Sequence, residues 1–316
     1  MILGTGGTIA GLGEQSGGGV GYQAGQVNVA ALLQSAVVDA SEYHLEPVQV
    51  AQVDSKDMGV DVWLPLLQAC AQALARSDVA GVVVTHGTDT LEESAWLLQC
   101  VLQPVKPVVL TCAMRPANAL SADGPANLRD AISGVVQGRS GVWLVAAGQV
   151  HAAQHVHKSH PYCLQAFDSG EFGPAGWIEE GRVRWAGPLM DGWQDAAVKP
   201  MPWAYAPSTA KLAWPWVEIV TSVAAARGAA VDALVAAGVQ GLVVACTGNG
   251  SVHAELAAAL RRAQSQGVQV VRTTRCEMGR IVLGQDQHAQ DVSGLSPYKA
   301  RISLMLQLLQ AQVGAP

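Results

Sequence analysis

Short apolar runs rich in β-branched residues recur along this chain, each followed by a glycine- or hydroxyl-bearing loop and then by a stretch of helical periodicity. That alternation is the signature of a mostly parallel sheet covered by helices, because parallel neighbours need a crossover between them. Strands are predicted at Met1–Leu3, Pro47–Val53, Gly81–Val84, Pro107–Thr111 and Val142–Ala147, with helices at Val62–Arg76, Leu91–Val101 and Ala126–Gln137. The pattern then breaks into aperiodic Trp, Pro and Ala, as in Val198-Lys199-Pro200-Met201-Pro202-Trp203, which reads as a linker. A second alternation follows: strand Val217–Val220, helix Ala229–Ala236, strand Gly241–Ala245, helix Val252–Gln264, strand Val268–Val271 and helix Pro297–Leu309. The expected fold class is therefore α/β. A larger N-terminal domain at 1–190 carries a doubly wound, mostly parallel sheet, 191–211 is a linker, and a smaller C-terminal α/β domain occupies 212–316. No internal repeat of fixed period interrupts this reading.

Composition narrows the function. With 50% hydrophobic and 14% charged residues the chain has ample material for two cores and no basis for charge-driven disorder. A formal charge of -6 with only 19 Lys and Arg argues against a grip on phosphate backbones, so nucleic acid is not an expected partner. No stretch approaches about 18 consecutive apolar residues, and no basic segment followed by a long apolar run opens the chain, so neither a membrane span nor a secretory signal is expected. Cys70, Cys100, Cys112, Cys163, Cys246 and Cys276 form no Cys-x-x-Cys pair and sit mostly in apolar runs. They read as buried thiols in a reducing compartment, hence a cytoplasmic placement, with a periplasmic one open if a signal has been removed. His151, His155, His157 and His160 are dense but lack a carboxylate at ligand spacing, so no metal is assigned.

Two loops carry candidate chemistry. Gly4-Thr5-Gly6-Gly7-Thr8-Ile9-Ala10-Gly11 follows the first strand directly. It is not a dinucleotide fingerprint, because the third glycine is replaced by Ile9 and no acidic residue ends a strand about 20 residues on. Without the fingerprint it is a glycine turn bearing two hydroxyls. His86-Gly87-Thr88-Asp89-Thr90 lies between a strand and a helix whose start is marked by Thr90 and Glu93, the spacing of a capping box. In open parallel sheets ligands bind outside the carboxyl ends of strands, which is where both loops lie. A threonine hydroxyl needs a neighbouring base or charge to become a nucleophile, and Asp89 beside Thr88 offers one polar partner.

Taken together, the motifs resemble the bacterial-type L-asparaginase family. The matching stretches are Thr5-Gly6-Gly7-Thr8-Ile9-Ala10-Gly11, Asp54-Ser55-Lys56-Asp57-Met58 and Thr85-His86-Gly87-Thr88-Asp89-Thr90-Leu91-Glu92-Glu93. Downstream come Ala113-Met114-Arg115-Pro116, Ser121-Ala122-Asp123-Gly124-Pro125, Lys158, Gly248-Asn249-Gly250 and Pro297-Tyr298-Lys299-Ala300-Arg301, in order over nearly the whole chain. The resemblance implies hydrolysis of the asparagine side-chain amide through an acyl-enzyme ester, without a cofactor. It implies that Thr5 attacks the amide carbon while Tyr22 hydrogen-bonds its hydroxyl, and that Thr88, Asp89 and Lys158 activate the nucleophile or the water. The residues leave open which threonine acts first. Backbone N–H groups near Thr88 and Ala113 are the expected oxyanion donors.

The resemblance further implies that Ser55 holds the substrate α-carboxylate and Asp89 its α-ammonium, with Asn249 reaching the site from a neighbouring subunit of a homotetramer built as a dimer of dimers. Lys56 stands where the family commonly has Gln or Glu. Turned inward, its ammonium would repel the substrate's; turned outward or paired with Asp57, it would be harmless. The family's partner-subunit glutamate has no clear counterpart, Glu277 being the weak candidate. Glycines crowd the stretch from Gly11 to Gly25 around Tyr22, which reads as a lid. The competing readings are a glutaminase-asparaginase, an amidase on a related amide, an amidotransferase subunit acting on charged tRNA, and a non-enzymatic amino-acid sensor.

Overall fold

A computed structural model of the chain describes residues 1–13, 21–36, 43–187, 213–283 and 291–314. The described residues fall into two compact units, the first ending at 187 and the second running from 213. The expected linker at 191–211 and the lid residues 14–20 lie outside the described residues.

In the first unit the elements follow in the order β1 (Ile2–Gly6), β2 (Leu12–Gly13), β3 (Tyr22–Gln23), α1 (Val29–Ser35), β4 (Pro47–Val53), α2 (Val60–Ala75), β5 (Val82–Thr85), α3 (Leu91–Leu102), β6 (Pro107–Thr111), α4 (Gly124–Val136) and β7 (Gly141–Ala146). Six shorter or irregular strands and turns close the unit, among them β8 (Gln149–Ala152), β9 (His157–Lys158), β10 (Phe167–Asp168), β11 (Gly176–Glu179) and β12 (Arg182–Trp185). The main sheet has eight strands in the order β12-β11-β8-β7-β6-β5-β1-β4. Strands β4, β1, β5, β6 and β7 are mutually parallel, whereas β8, β11 and β12 continue the sheet by antiparallel pairing.

The strand order places the site. From β1 the chain moves to one side, to β4, then crosses back over α2 to β5 on the other side of β1 and continues outward through β6 and β7. The connections leaving β1 and β5 therefore diverge, which opens a crevice at their carboxyl ends, the switch point where doubly wound sheets bind ligands. Burial explains why these strands sit centrally: Val82, Val83, Val84, Val108, Val109 and Leu110 are all shielded from water, as expected of strands covered on both faces. Helix α2 turns Val62, Trp63, Leu66, Leu67, Cys70 and Ala73 inward at helical spacing.

Several short elements escape the sequence reading. Helix α1 is a short segment capped by the Asn28 side chain, which accepts from the Ala31 N–H at 2.9 Å. Strands β8, β11 and β12 are only four residues each, β8 and β12 alternating polar and apolar and β11 not, too short to rise above the background of a loop. The expected capping box does not form either, because the Thr90 hydroxyl donates to the Ser55 carbonyl at 2.7 Å instead of serving α3.

The second unit is a three-stranded parallel sheet, β13 (Val217–Thr221), β14 (Gly241–Cys246) and β15 (Gln269–Thr274), in chain order. Helices α5 (Ala229–Ala236), α6 (Ala254–Ser265) and α7 (Pro297–Gly314) accompany it. Its core gathers Leu242, Val244, Leu256, Leu260 and Val231, all fully buried or nearly so.

At the switch point the loops after β1 and β5 touch backbone to backbone. Gly7 has φ +78°, and a Cβ placed there would lie 2.2 Å from the Gly87 Cα. A Cβ on Gly87 would in turn lie 2.4 Å from Ser55 Oγ. No side chain fits between these loops. Gly7→Ala is therefore expected to cost about 2 kcal/mol or more, since it combines a left-handed conformation with a clash against main chain. Urea unfolding of the two proteins measures it, and an unchanged midpoint would show that the loops are free to separate.

Candidate active site

Thr5 lies near the carboxyl end of β1, fully buried, with its hydroxyl donating to the Thr85 carbonyl at 3.0 Å. Tyr22 is not its partner. The Tyr22 and Thr8 hydroxyls share a hydrogen bond of 2.6 Å, so the tyrosine is anchored to the second hydroxyl of the glycine loop. Tyr22 reaches that place because β3 pairs with β2, Gly13 opposite Tyr22. The hairpin is tied down by Asn118, whose amide accepts from the Gly13 N–H at 2.8 Å and donates to its carbonyl at 2.9 Å.

Below the β5 loop a fully buried histidine sets the backbone. His86 Nδ1 lies 2.7 Å from the Gly87 carbonyl, which only accepts, so Nδ1 carries the proton. Its Nε2 then accepts from Ser94 Oγ at 2.9 Å, and Ser94 accepts from Trp63 Nε1 at 2.9 Å. Three hydrogen bonds in series thus join α2, α3 and the β5 loop. Burial pushes the His86 imidazole down to about 4, so the ring is neutral at neutral pH.

Above that relay the charged groups converge. Lys158, in β9, donates from Nζ to Thr88 Oγ1 at 2.8 Å and to Asp89 Oδ1 at 2.6 Å. Its own backbone N–H donates to Glu92 Oε2 at 2.9 Å. Ser55, 2% exposed, accepts the Asp89 N–H on its hydroxyl at 3.1 Å. Ala113 is buried at the end of β6, in a loop fixed from α4: Asp123 accepts from the N–H groups of Met114 and Arg115 at 2.9 and 3.0 Å, and Asn127 donates to the Cys112 carbonyl at 2.9 Å. Thr5, Thr88, Asp89, Lys158, Ser55 and Ala113 thus all lie on or beside the carboxyl-end loops of neighbouring strands, with Tyr22 at their rim.

Two candidates have partners of their own. Lys56 points outward, its side chain 60% exposed and its ammonium paired with Asp57 and 4.0 Å from Asp54, so the inward placement feared for it does not occur. Asn249 belongs to the second unit, where its amide is engaged at both ends by Val282, accepting from its N–H and donating to its carbonyl at 3.0 Å. Glu277 is exposed in the same unit. The histidines that raised the question of a metal have other partners: His151 bonds Ser169 at 2.9 Å, His155 stacks on Phe172, and His160 accepts from the Tyr162 and Cys163 N–H groups.

The same order of domains is known elsewhere. Residues 1–190 match the model of the asparaginase N-terminal domain, and residues 216–314 match that of the glutaminase/asparaginase C-terminal domain. The chain belongs to the asparaginase family. It is 33% identical to the glutaminase-asparaginase of Pseudomonas fluorescens, over 99% of this chain and 86% of that protein. It is 35% identical to the probable periplasmic L-asparaginase of Haemophilus influenzae, over 98% and 88%. The crystal structure of a probable cytoplasmic L-asparaginase from Campylobacter jejuni superposes with a TM-score of 0.86 at 34% identity, covering 97% of this chain and 94% of that one. The chain is thus an asparaginase-family α/β protein with a larger N-terminal and a smaller C-terminal domain.

The hydrogen bonds also show what the sequence motifs concealed. Trp63 and Ser94 lie inside helices and carry no motif signal of their own, whereas His86, Glu92 and Asp123 sat within recognised stretches without an assigned task. Their roles are visible only through their partners.

Two outcomes follow from this geometry. His86 binds its proton near pH 6.5 when unfolded and only near 4 when folded, so between those values the unfolded chain takes up a proton that the folded one refuses. Stability should be fully present above about pH 6.5 and fall by about 3 kcal/mol as pH drops to about 4. Denaturant titrations in which His86→Gln shows the same acid loss would remove His86 as its source. Because Lys56 faces water, Lys56→Gln is expected to change the Michaelis constant for asparagine by less than about twofold. A several-fold drop in steady-state assays would mean that the lysine reaches the substrate.

Proposed function

We propose that this chain hydrolyses the side-chain amide of L-asparagine to aspartate and ammonia by threonine nucleophilic catalysis. The observation that carries the reading is Lys158 bridging Thr88 and Asp89, in a loop whose backbone meets the glycine turn that follows Thr5. Names of the relatives support the substrate class, since they pair L-asparaginase with glutaminase-asparaginase.

In this mechanism Thr5 Oγ1 adds to the amide carbon, its proton passes to the leaving nitrogen, and ammonia departs to leave an aspartyl ester on Thr5. Water then adds to the ester, and the alkoxide of Thr5 regains its proton as aspartate leaves. Lys158, held against Asp89, stabilises negative charge on Thr88 and keeps that hydroxyl ready to relay a proton from nucleophile or water. The Thr8 and Tyr22 hydroxyls, hydrogen-bonded to each other, form a second polar pair on the same glycine turn. Backbone N–H groups near Thr88 and Ala113 stabilise the oxyanion. Ser55 is proposed for the α-carboxylate and Asp89 for the α-ammonium of substrate.

One observation favours a second order of events. In the structure the Thr5 hydroxyl donates to the Thr85 carbonyl, whereas Thr88 already receives a bond from the lysine. Under that reading Thr88 attacks first. Mass spectrometry of Thr88→Ala incubated with asparagine distinguishes the two: an ester accumulating on the peptide that contains Thr5 supports Thr5 as first nucleophile, and an ester on Thr88 in Thr5→Ala supports the reverse.

Side-chain preference between asparagine and glutamine, a cytoplasmic location and a homotetramer complete the proposal. All six cysteines are free thiols and four are buried, which suits a reducing compartment. Among the described residues no helix is long and apolar enough to cross a membrane.

Ammonia release from asparagine, glutamine and an N-acylated asparagine tests the activity. Thr5→Ala, Thr88→Ala and Lys158→Met should each lower turnover by about a thousandfold or more, with melting temperatures close to the parent for Thr88→Ala and Lys158→Met and somewhat lower for Thr5→Ala, which loses a buried hydrogen bond. A variant that retains more than about a tenth of the parent rate removes that residue from the chemistry.

A further inference from the structure

We propose that Glu92 is a positioning residue that sets where Lys158 stands, acting by the reach of its side chain and not by its charge. The proposal rests on the reading of Lys158 as part of the proton-handling group.

Glu92 lies in the first turn of α3, four residues beyond Thr88. It is a carboxylate only 6% exposed, a state that a charged side chain tolerates when strong donors satisfy it. The donor is the backbone N–H of Lys158, at 2.9 Å and 66 residues away in sequence. A helix N-terminus also favours negative charge at that place.

The result is a closed ring. From Thr88 the chain runs through Asp89 and Thr90 into α3 and Glu92; Glu92 grips the Lys158 main chain; and the Lys158 side chain returns to Thr88 and Asp89. Apart from this grip, Lys158 is carried by a two-residue hairpin, in which it faces Phe167, and by bonds from the next two residues to the Ala166 carbonyl. Those contacts hold the segment to itself. Glu92 links the Lys158 backbone to the helix that follows Thr88, so it converts a flexible lysine on a short hairpin into a group of fixed reach. An error of about 1 Å in such a group is enough to cost up to about a hundredfold in rate, because the proton transfer it serves depends on hydrogen-bond distance.

Two conservative variants separate reach from charge. Glu92→Gln loses the charge but keeps an oxygen at the same length, and Glu92→Asp keeps the charge but falls one methylene short of the Lys158 N–H. The expected result in steady-state assays with asparagine is that Gln retains at least about a third of the parent kcat, while Asp loses about tenfold or more with KM within about threefold. Amide hydrogen exchange at Lys158 should follow the same order, protected in the parent and in Gln and accelerated in Asp. Asp as active as the parent, Gln as damaged as Asp, or Lys158 exchange unaffected by either variant would overturn the proposal. If the parent releases no ammonia from asparagine, the activity reading fails, while the exchange measurement still decides whether Glu92 holds Lys158.

Discussion

The contact between Gly7 and Gly87 is the constraint on which the site depends. A parallel sheet brings the carboxyl ends of β1 and β5 side by side, but strand spacing alone leaves their loops apart by a side chain on each. Removing both side chains lets the two main chains meet, and it brings Ser55 up beneath Gly87. Three loops from three adjacent strands then share one small volume. Hydroxyls placed one residue beyond the glycines, Thr8 and Thr88, are carried to its rim, while Thr5 is held in the strand just below.

The polar groups there are layered by burial. Deepest is the neutral chain of Trp63, Ser94 and His86, in which every proton has a defined acceptor and no charge has to be desolvated. Placing an imidazolium in that position would cost its hydration, which is why burial drives His86 toward neutrality. The ions sit nearer to solvent: the side chains of Lys158 and Asp89 are 18% and 52% exposed. An ion pair open to water contributes little to stability, so its value lies in the geometry it imposes on Thr88. A rigid uncharged floor beneath a hydrated charged rim suits a site that must hold a hydroxyl still while protons move across it.

Much of this was legible in the residues. The strands Pro47–Val53 and Pro107–Thr111 and the helix Ala229–Ala236 were predicted with the bounds they have, because a proline opens each strand and Gly228 precedes the helix, with β-branched or helix-forming residues following. Thr5, Thr88, Asp89, Lys158 and Ser55 were named from motif and resemblance. Partners were harder. Tyr22 was expected on Thr5 and is bonded to Thr8, since two hydroxyls three residues apart on one glycine turn are indistinguishable until the turn has a shape. Thr90 was expected to cap α3 and instead holds Ser55, because a local signal was outbid by an acceptor from another strand. The edge strands β8, β11 and β12 are defined by pairing and not by their own composition.

The sequence by itself therefore determined the α/β class, the two-domain order and the residue types that could do chemistry, because periodicity and glycine placement are local properties written along the chain. Tertiary structure alone decided which of those residues meet. Lys158 lies 70 residues from Thr88, and only the folded sheet and the grip of Glu92 bring its ammonium to 2.8 Å from that hydroxyl. The outward turn of Lys56 is likewise a choice between two directions that one residue name cannot encode, made by Asp57 and water. Distance between residues remote in the chain is a property of packing, and the chemistry of this site is a matter of distance.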